Sequence, residues 1–242
     1  MKRFYFNGKL EVSKSYKIEG IEHNHIKNVM RLNINDEIIL VCGDEFDYFA
    51  KIVDISKGHT LVEIFDCKQN TYNSNNNVTV FQALVKSDNM TLIIQKLTEL
   101  GVTNFVPFES RYITSKEKSG KTEKLQEVSN QSIKQCKRSI PMIVGNTLTF
   151  NNLVKELSNF DLIIFANECE KTYDLKELNL KNYKNIAIII GSEGGFSQEE
   201  IDKLISVNAK SITLGKRILR AETAAIALTS VVMYELGEWS YE

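Results

Sequence analysis

The stretch from Asn185 to Glu235 constrains the fold more than any other part of this chain. It opens with Asn185–Ile190, N-I-A-I-I-I, an apolar run rich in β-branched residues that is typical of a strand buried on both faces of a parallel sheet. A glycine-rich turn, G-S-E-G-G-F-S, follows at 191–197. Ser197 and Glu200 have the spacing of a capping box, which predicts that a helix begins directly after the turn.

The second half of this stretch repeats the same arrangement. A short strand is predicted over 211–214, and it is followed by Gly215 and the loop K-R-I-L-R-A-E-T. An alanine-rich helix is then predicted over 223–236. Loops at the carboxyl ends of neighbouring parallel strands are the places where α/β sheets bind ligands. The two loops are therefore the candidate ligand site.

From residue 78 onward, predicted strands and helices alternate along the chain. The predicted elements are strands over 78–85, 102–108 and 161–166 and helices over 90–100, 115–138 and 151–157. Asp88 is expected to cap the first of these helices, and Pro107 is expected to end the second strand. This alternation predicts an α/β domain with a mainly parallel sheet.

Several short strands with tight turns characterise the first 70 residues. Strand patterns cover 37–41, 46–55 and 60–65, and one short helix is expected over 22–30. This combination predicts a small β-barrel. A polar, asparagine-rich segment follows, so we expect a domain over 1–70, a linker over 71–77 and a second domain over 78–242.

Composition narrows the classes of function. The 242 residues carry a formal net charge of −1, so any surface for nucleic acid has to be a local patch. The four cysteines are scattered, and only three histidines accompany them, which argues against a metal site and against a disulfide framework. No apolar run reaches the length of a membrane span, and the first ten residues lack the apolar core of a signal peptide. A cytoplasmic location without a membrane partner is therefore expected.

The glycine turn at 191–197 has several interpretations. It lacks the G-x-G-x-x-G pattern of a dinucleotide site and the Gly-Lys-Ser/Thr of a phosphate-binding P-loop. It could be only a structural connection between a strand and a helix. The second loop, at the end of a neighbouring predicted strand, makes ligand binding the better interpretation.

The two loops also carry a family resemblance. G-S-E-G-G-F-S together with L-G-K-R-I-L-R-A-E-T-A resembles the paired signature of the RsmE family, the ribosomal RNA small subunit methyltransferases E of the SPOUT superfamily. Further matches are H-I-K-N-V-M-R at 25–31, I-Q-K-L-T-E-L-G-V at 94–102 and Q-C-K-R-S-I-P at 135–141. The resemblance implies a SPOUT trefoil-knot methyltransferase domain with a mainly parallel sheet, preceded by a PUA-like, RNA-binding β-barrel.

The resemblance implies S-adenosyl-L-methionine as the cofactor, held largely by backbone groups of these loops and of the turn after the 161–166 strand. The implied cofactor-binding residues are Phe165, Ala166, Gly191, Gly194, Leu214, Gly215, Ile218 and Leu219. The family often has Pro where this chain has Ser192 and Thr where it has Ala221. Both positions are expected to have a supporting structural role in the loops.

The implied reaction is methylation of N3 of a uridine in 16S rRNA. Arg217 and Arg220 are candidates for stabilising the uracil anion, and Glu193 and Glu222 are candidates for accepting the proton or fixing the arginines. The alternative for these four residues is a buried Arg–Glu pair that only clamps the two loops together.

The implied partners are 16S rRNA, expected within the small ribosomal subunit, and a second copy of the chain. The candidate RNA contacts are Arg3, His25, Lys27, Arg31, Lys86, Arg111, Lys137 and Arg138, each of which could instead be an ordinary surface charge or, for His25, a core residue. The apolar last helix could form a homodimer interface or simply pack into the core. Two other functions stay open: a ribose 2′-O-methyltransferase, and a non-catalytic RNA-binding factor in ribosome assembly.

Overall fold

The computed structural model describes residues 1–113, 121–170 and 178–240. The chain folds into two compact units. The first comprises Met1–Asn73 and Asn130–Pro141, and the second comprises Ser74–Ser129 and Met142–Glu242. No helix among these described residues is long and apolar enough to cross a membrane.

The first unit is built on a five-stranded sheet in the order β1-β3-β4-β5-β2. Its strands are β1 (Lys2–Tyr5), β2 (Ser15–Ile18), β3 (Glu37–Val41), β4 (Phe46–Ile55) and β5 (Thr60–Gln69). β1 pairs with β3 in parallel, and the other pairs are antiparallel. The sheet ends at β1 and β2, so the expected barrel is an open half-barrel. Helix α1 (Gly20–Asn24) continues as a π-helical turn over His25–Val29.

Alternating apolar residues of the strands form the core of this unit. Ile38 and Leu40 of β3 are fully buried, as are Ala50 and Ile52 of β4. Ile26 of the π-helical turn packs into the same cluster. One face of the sheet therefore carries the core, as the alternation of polar and apolar residues predicts.

The second unit contains an all-parallel sheet in the order β12-β10-β11-β6-β7-β8, with β9 also pairing with β7. Its strands are β6 (Asn77–Ala83), β7 (Asn104–Glu109), β8 (Ile143–Val144), β9 (Leu148–Thr149), β10 (Leu162–Ala166), β11 (Asn185–Ile190) and β12 (Lys210–Ile212). The helices are α2 (Ser87–Leu100), α4 (Phe150–Glu156), α5 (Gln198–Ser206) and α6 (Ala221–Glu235), with 3₁₀ turns at Leu157–Asn159 and Leu180–Asn182. Helix α3 (Lys121–Cys136) belongs to this unit up to Ser129 and to the first unit from Asn130. The prediction of a mainly parallel α/β sheet is confirmed.

Strand β11 is buried on both faces. Ile186, Ile188 and Ile190 belong to the core cluster that includes residues of α2 and α6. Ala187 and Ile189 point to the opposite face, into the cluster that includes residues of α4 and α5. The absence of polar alternation in this strand thus reflects two cores, one on each side of the sheet.

Candidate functional site

Three loops meet where β10, β11 and β12 end. These strands are parallel neighbours in the order β12-β10-β11, so their carboxyl ends lie at the same edge of the sheet. The loops enclose a cleft of about 850 Å³, counting the part that is open to solvent. Its lining consists of Ala166, Asn167, Glu168, Cys169, Ile190, Gly191, Ser192, Glu193, Gly195, Phe196, Ile201, Leu214, Gly215, Lys216, Arg217, Ile218, Leu219, Ala221 and Ala224.

The loop after β11 folds tightly on itself. The Gly195 amide donates a hydrogen bond to the Ser192 carbonyl over 3.0 Å, and Gly195 has φ +69°. A Cβ atom at Gly191 would lie 3.2 Å from the carbonyl carbon of Gly195 and 3.2 Å from Cε2 of Phe196. A side chain at position 191 would therefore force Gly195 or Phe196 to shift by a few tenths of an ångström, whereas glycine lets the turn close without that shift.

Gly194 allows the loop to pack closely against Tyr112. A Cβ atom there would lie 2.8 Å from Cβ of Tyr112, which is closer than real contacts allow. The Ser192 hydroxyl donates to the Tyr112 carbonyl over 3.0 Å and accepts from the Gly194 amide over 3.3 Å. Gly194 thus lets the loop pack against the backbone near Tyr112, and it does not line the cleft.

The start of α5 fixes the other end of this loop. The Ser197 amide donates to the Glu200 carboxylate over 2.8 Å, and the Glu200 amide donates to the Ser197 hydroxyl over 3.4 Å. This capping box is the one that the sequence predicts, and it is confirmed. The buried Glu200 side chain also accepts from the Arg111 amide over 2.9 Å. The carboxylate of Glu200 therefore ties the start of α5, next to the cleft residue Phe196, to the segment at Arg111.

The loop after β12 supplies an exposed wall. Gly215 has φ +93°, and no described atom lies within 4 Å of where its Cβ would be. Ile218 is 82% exposed although it is apolar. Arg220 is the N-cap residue of α6 and makes no side-chain capping bond. Ile218 therefore adds exposed apolar surface to the lining of the cleft.

The turn after β10 brings a carboxylate to the cleft. The Asn167 amide donates to the Ile212 carbonyl over 3.0 Å, and its side chain donates to the Ser211 hydroxyl over 3.1 Å. These bonds hold the turn against β12. A Cβ atom at Gly195 would lie 3.4 Å from Oε1 of Glu168, so this carboxylate lies close to the glycine turn after β11.

Six of the eight cofactor residues implied by the resemblance line the cleft: Ala166, Gly191, Leu214, Gly215, Ile218 and Leu219. Phe165 and Gly194 do not. Phe165 is fully buried and packs edge-to-face on Phe196, with ring centroids 5.9 Å apart. Because side chains alternate along a strand, Phe165 points into the core while Ala166 ends the strand at the cleft.

The four candidate catalytic residues have different environments. Glu193 and Arg217 are exposed and line the cleft. Arg220 is exposed, and Glu222 is half-buried and accepts from the Asn89 side chain over 3.3 Å. Within residues 1–113, 121–170 and 178–240, no salt bridge joins either arginine to either glutamate. The alternative of a buried Arg–Glu clamp between the loops is therefore not observed.

Some residues of the cleft were missed from the sequence. Asn167, Glu168 and Cys169 line it, and all three follow the predicted 161–166 strand directly. Lys216 also lines it. The rule that ligands bind at carboxyl ends of strands would have included all four, whereas the resemblance directed attention to the glycine loops.

The candidate RNA contacts in the first unit have different environments. The Arg3 guanidinium donates to both oxygens of Asp47, over 2.6 and 2.5 Å, and its side chain is 8% exposed. Arg138 is only 3% exposed. For these two residues the geometry favours a structural role over a surface contact, in contrast to the expectation. Lys137 and Arg31 are exposed and have positive φ values of 68° and 52°.

The remaining candidates are partly or fully accessible. His25 packs edge-to-face on Phe4, with ring centroids 5.7 Å apart, and Lys27 donates to the Ser56 carbonyl over 2.8 Å. In the second unit, Lys86 is exposed at the N-cap position of α2. Arg111 pairs with Glu199 over 2.8 Å at the surface.

Two family models match the chain. One described as an RNA methyltransferase domain matches residues 72–233, and one described as an RNA methyltransferase PUA domain matches residues 18–65. The ribosomal RNA small subunit methyltransferase E of Rickettsia conorii is 33% identical over 95% of this chain and 94% of its own length. The Bacillus subtilis protein of the same name is 28% identical over 93% of this chain and 92% of its own length.

Solved structures give the same result. The ribosomal RNA small subunit methyltransferase E of Neisseria gonorrhoeae bound to S-adenosyl methionine has a TM-score of 0.89 at 25% identity and covers 97% of both chains. A putative methyltransferase of Legionella pneumophila in complex with S-adenosylmethionine has a TM-score of 0.90 at 25% identity and covers 96% of both chains. The chain therefore belongs to the ribosomal RNA small subunit methyltransferase E family.

Proposed function

We propose that this protein is an S-adenosyl-L-methionine-dependent methyltransferase that methylates N3 of one uridine in the 16S rRNA of the small ribosomal subunit. The observation that carries the proposal is the cleft formed by three loops at the carboxyl ends of β10, β11 and β12 in a member of this family. Its relatives are named for ribosomal RNA of the small subunit, and two similar structures hold the cofactor.

The residues of the cleft fit this cofactor. Gly215, whose Cβ position meets no described atom within 4 Å, leaves room for a ligand to approach, and Leu214 and Leu219 offer apolar surface to a nucleoside. The cleft also contains carboxylates and cations, which suit the ammonium and carboxylate groups of the methionine part of the cofactor. The charged side chains of the lining are Glu168, Glu193, Lys216 and Arg217.

When bound, the cofactor supplies a methyl group on a sulfonium, which is already a strong electrophile. The nucleophile is N3 of the uridine, and the protein has to favour its ionised, reactive form. The pKa of uridine N3–H lies roughly two units above neutral, so ionising it costs about 3 kcal/mol. A side chain that accepts the proton or stabilises the anion would lower this cost, and the uracil has to leave any base stack to expose N3.

Arg220 is our candidate for stabilising the uracil anion. It is exposed at the N-terminus of α6, and it makes no salt bridge within the described part of the chain. Arg217 and Glu193 line the cleft and could contact the flanking phosphate or accept the proton, respectively. Glu222 is held by Asn89, which suits a positioning role.

The position of the methyl group tests the proposal. Purified protein, labelled cofactor and small subunits from cells that lack the enzyme should yield one labelled uridine. A methyl on N3 blocks the pairing edge, so reverse transcription should stop one nucleotide before it. A label without a stop would favour the ribose 2′-O-methyltransferase, and neither label nor stop would favour the assembly factor.

Arg220→Ala should keep cofactor binding and lose about two to four powers of ten in the rate of methyl transfer. Calorimetry with S-adenosylhomocysteine checks the binding, and single-turnover transfer to small subunits checks the rate. Wild-type transfer by the variant would remove Arg220 from the mechanism.

We propose four further properties of the chain. The α6 helix leaves Val231 and Tyr234 exposed, with Trp239 beyond its end, and this apolar surface suits a homodimer. The family resemblance implies a trefoil knot. The polar linker in the sequence supports the domain boundaries 1–70, 71–77 and 78–242, although Asn130–Pro141 also belongs to the first compact unit. A cytoplasmic location suits a ribosomal substrate and four free cysteines.

A further inference from the structure

The first unit carries a pocket in which basic side chains predominate. Its basic lining residues are Lys2, Arg3, His25, Lys134 and Lys137, and no carboxylate of the described residues lines it. Tyr72 forms part of the same lining and is 50% exposed. A pocket lined by cations and an accessible aromatic ring suits a ligand that has both an anionic group and a planar ring.

Buried carboxylates lie behind two of these cations. Asp47 holds the Arg3 guanidinium, and Glu22 accepts from the Lys134 ammonium over 2.8 Å. Both carboxylates belong to residues that are less than a tenth exposed. A lysine ammonium has three donors, so Lys134 can keep its bond to Glu22 and still donate into the pocket.

A chain of hydrogen bonds orders the walls of the pocket. The Asn70 side chain donates to Asp47 over 2.8 Å and to the Lys137 carbonyl over 2.9 Å. Its carbonyl oxygen accepts from the Tyr72 amide over 2.8 Å. Asn70 is buried, so one side chain fixes the backbone of both Tyr72 and Lys137 relative to the Arg3–Asp47 pair.

Two backbone features of the pocket are unusual for ordinary surface residues. Lys137 has φ +68°, a conformation that costs a lysine energy, and the bond from Asn70 holds it there. His25 begins a π-helical turn, a rare structure that is frequent at functional sites. The Lys137 ammonium lies over the Tyr72 ring, 5.3 Å from its centroid.

We propose that this pocket binds one nucleotide of single-stranded RNA outside the methyl-transfer cleft. The base stacks on the Tyr72 ring in place of the Lys137 ammonium, which turns to the adjoining phosphates together with the ammonium groups of Lys2 and Lys134. Stacking on aromatic side chains combined with lysine contacts to the backbone is the way in which proteins hold unpaired nucleic-acid strands. The inference rests on the proposed RNA substrate, but it assigns a separate site in the first unit.

Substitutions at two residues test the site with little risk to folding. Lys137→Gly removes the ammonium, and glycine adopts a positive φ without strain. Tyr72→Leu removes the aromatic ring, whereas Tyr72→Phe keeps it. Lys57→Gln is the control for loss of charge, because Lys57 is exposed in the turn between β4 and β5.

The measurement is fluorescence anisotropy with a labelled single-stranded RNA of about ten nucleotides, a length within the usual range for such surfaces. Tyr72→Leu should weaken binding roughly five- to a hundredfold, while Tyr72→Phe keeps wild-type affinity. Lys137→Gly should weaken binding and lower the slope of log affinity against log salt by about 0.7. Lys57→Gln should change the affinity less than Lys137→Gly does.

Thermal unfolding and calorimetry with S-adenosylhomocysteine should give wild-type values for every variant, which separates the pocket from folding and from the cofactor cleft. Wild-type affinity of Tyr72→Leu would overturn the stacking, and equal effects of Lys137→Gly and Lys57→Gln would overturn the phosphate contact. Failure of the wild-type protein to methylate ribosomal RNA would refute the proposed function instead, because the oligonucleotide assay does not depend on methyl transfer.

Discussion

Cys169 allows the cofactor cleft to be located without measuring activity. Its thiol is exposed and belongs to the lining of the cleft, next to Glu168. A bound cofactor should therefore shield Cys169 from alkylation. Cys42 provides an internal reference, because burial and its hydrogen bond to the Asp44 carboxylate raise the pKa of the Cys42 thiol to about 12.

The expected alkylation rates of Cys42 and Cys169 follow from a protonation equilibrium and a binding equilibrium. Only the thiolate reacts, so at pH 8 about one Cys42 side chain in ten thousand is reactive, against about a quarter for an unperturbed thiol. S-adenosylhomocysteine at ten times its dissociation constant occupies the site about 90% of the time, so Cys169 should react about tenfold more slowly.

The assay is alkylation with iodoacetamide at pH 8, quenched at intervals and read for each cysteine by peptide mass spectrometry. ATP at the same concentration serves as the control and should not protect Cys169. Unchanged labelling of Cys169, under conditions where calorimetry shows that the ligand is bound, would refute the placement of the cofactor in this cleft. Rapid labelling of Cys42 would refute the assignment of its raised pKa.

Three other substitutions test separate contacts. Gly191→Ala places a Cβ atom 3.2 Å from the carbonyl carbon of Gly195 and should weaken cofactor binding in calorimetry about tenfold, or 1.4 kcal/mol. The control Gly58→Ala, whose Cβ meets no described atom within 4 Å, should leave cofactor binding unchanged. Asp47→Ala leaves the buried Arg3 guanidinium unpaired and should lower the free energy of unfolding, measured by urea denaturation, by about 3–5 kcal/mol. Glu199→Ala, which breaks the exposed pair with Arg111, should lower it by less than about 1 kcal/mol. Equal losses for the two variants would contradict this prediction. Tyr234→Lys should convert the proposed dimer to a monomer in light scattering, and a persistent dimer would exclude this face of α6.

Local signals in the sequence were sufficient for several elements. The predicted bounds of β3, β4 and β11 are those observed. Gly101 ends α2 in the left-handed conformation, with φ +101°, as a glycine at that position predicts. Each of these signals acts over a few neighbouring residues, so it does not depend on the tertiary fold.

Two other local rules gave wrong predictions because distant contacts decide the outcome. Pro107 lies inside β7 and does not end it. β8 pairs with β7 at Asn104 and Phe105, and β9 pairs at Phe108 and Glu109, so Pro107 falls in the gap between them, where its missing amide hydrogen is not needed. Asp88 was expected to cap α2, but the helix begins at Ser87 and Asp88 lies in its first turn, where its charge favours the helix dipole.

The candidate site could be predicted in position but not in full composition. The carboxyl-end rule predicted that the loops around Gly191 and Gly215 follow neighbouring strands. β10 in fact lies between β11 and β12, but both loops still line one cleft. The sequence does not show which side chains turn inward. Phe165 and Gly194 face packing contacts instead, and the side-chain direction of Glu168 depends on bonds that Asn167 makes to β12.

Charge is the property that the sequence represented least well. A formal net charge of −1 indicates only that any surface for RNA has to be a local patch, and the sequence does not show which arginines are buried. In the first unit, the buried carboxylates of Asp47 and Glu22 form ion pairs with Arg3 and Lys134. The ionisable side chains that line the pocket above them are all basic. A chain that is neutral overall can therefore offer a cationic surface, because its acidic groups lie beneath that surface rather than on it.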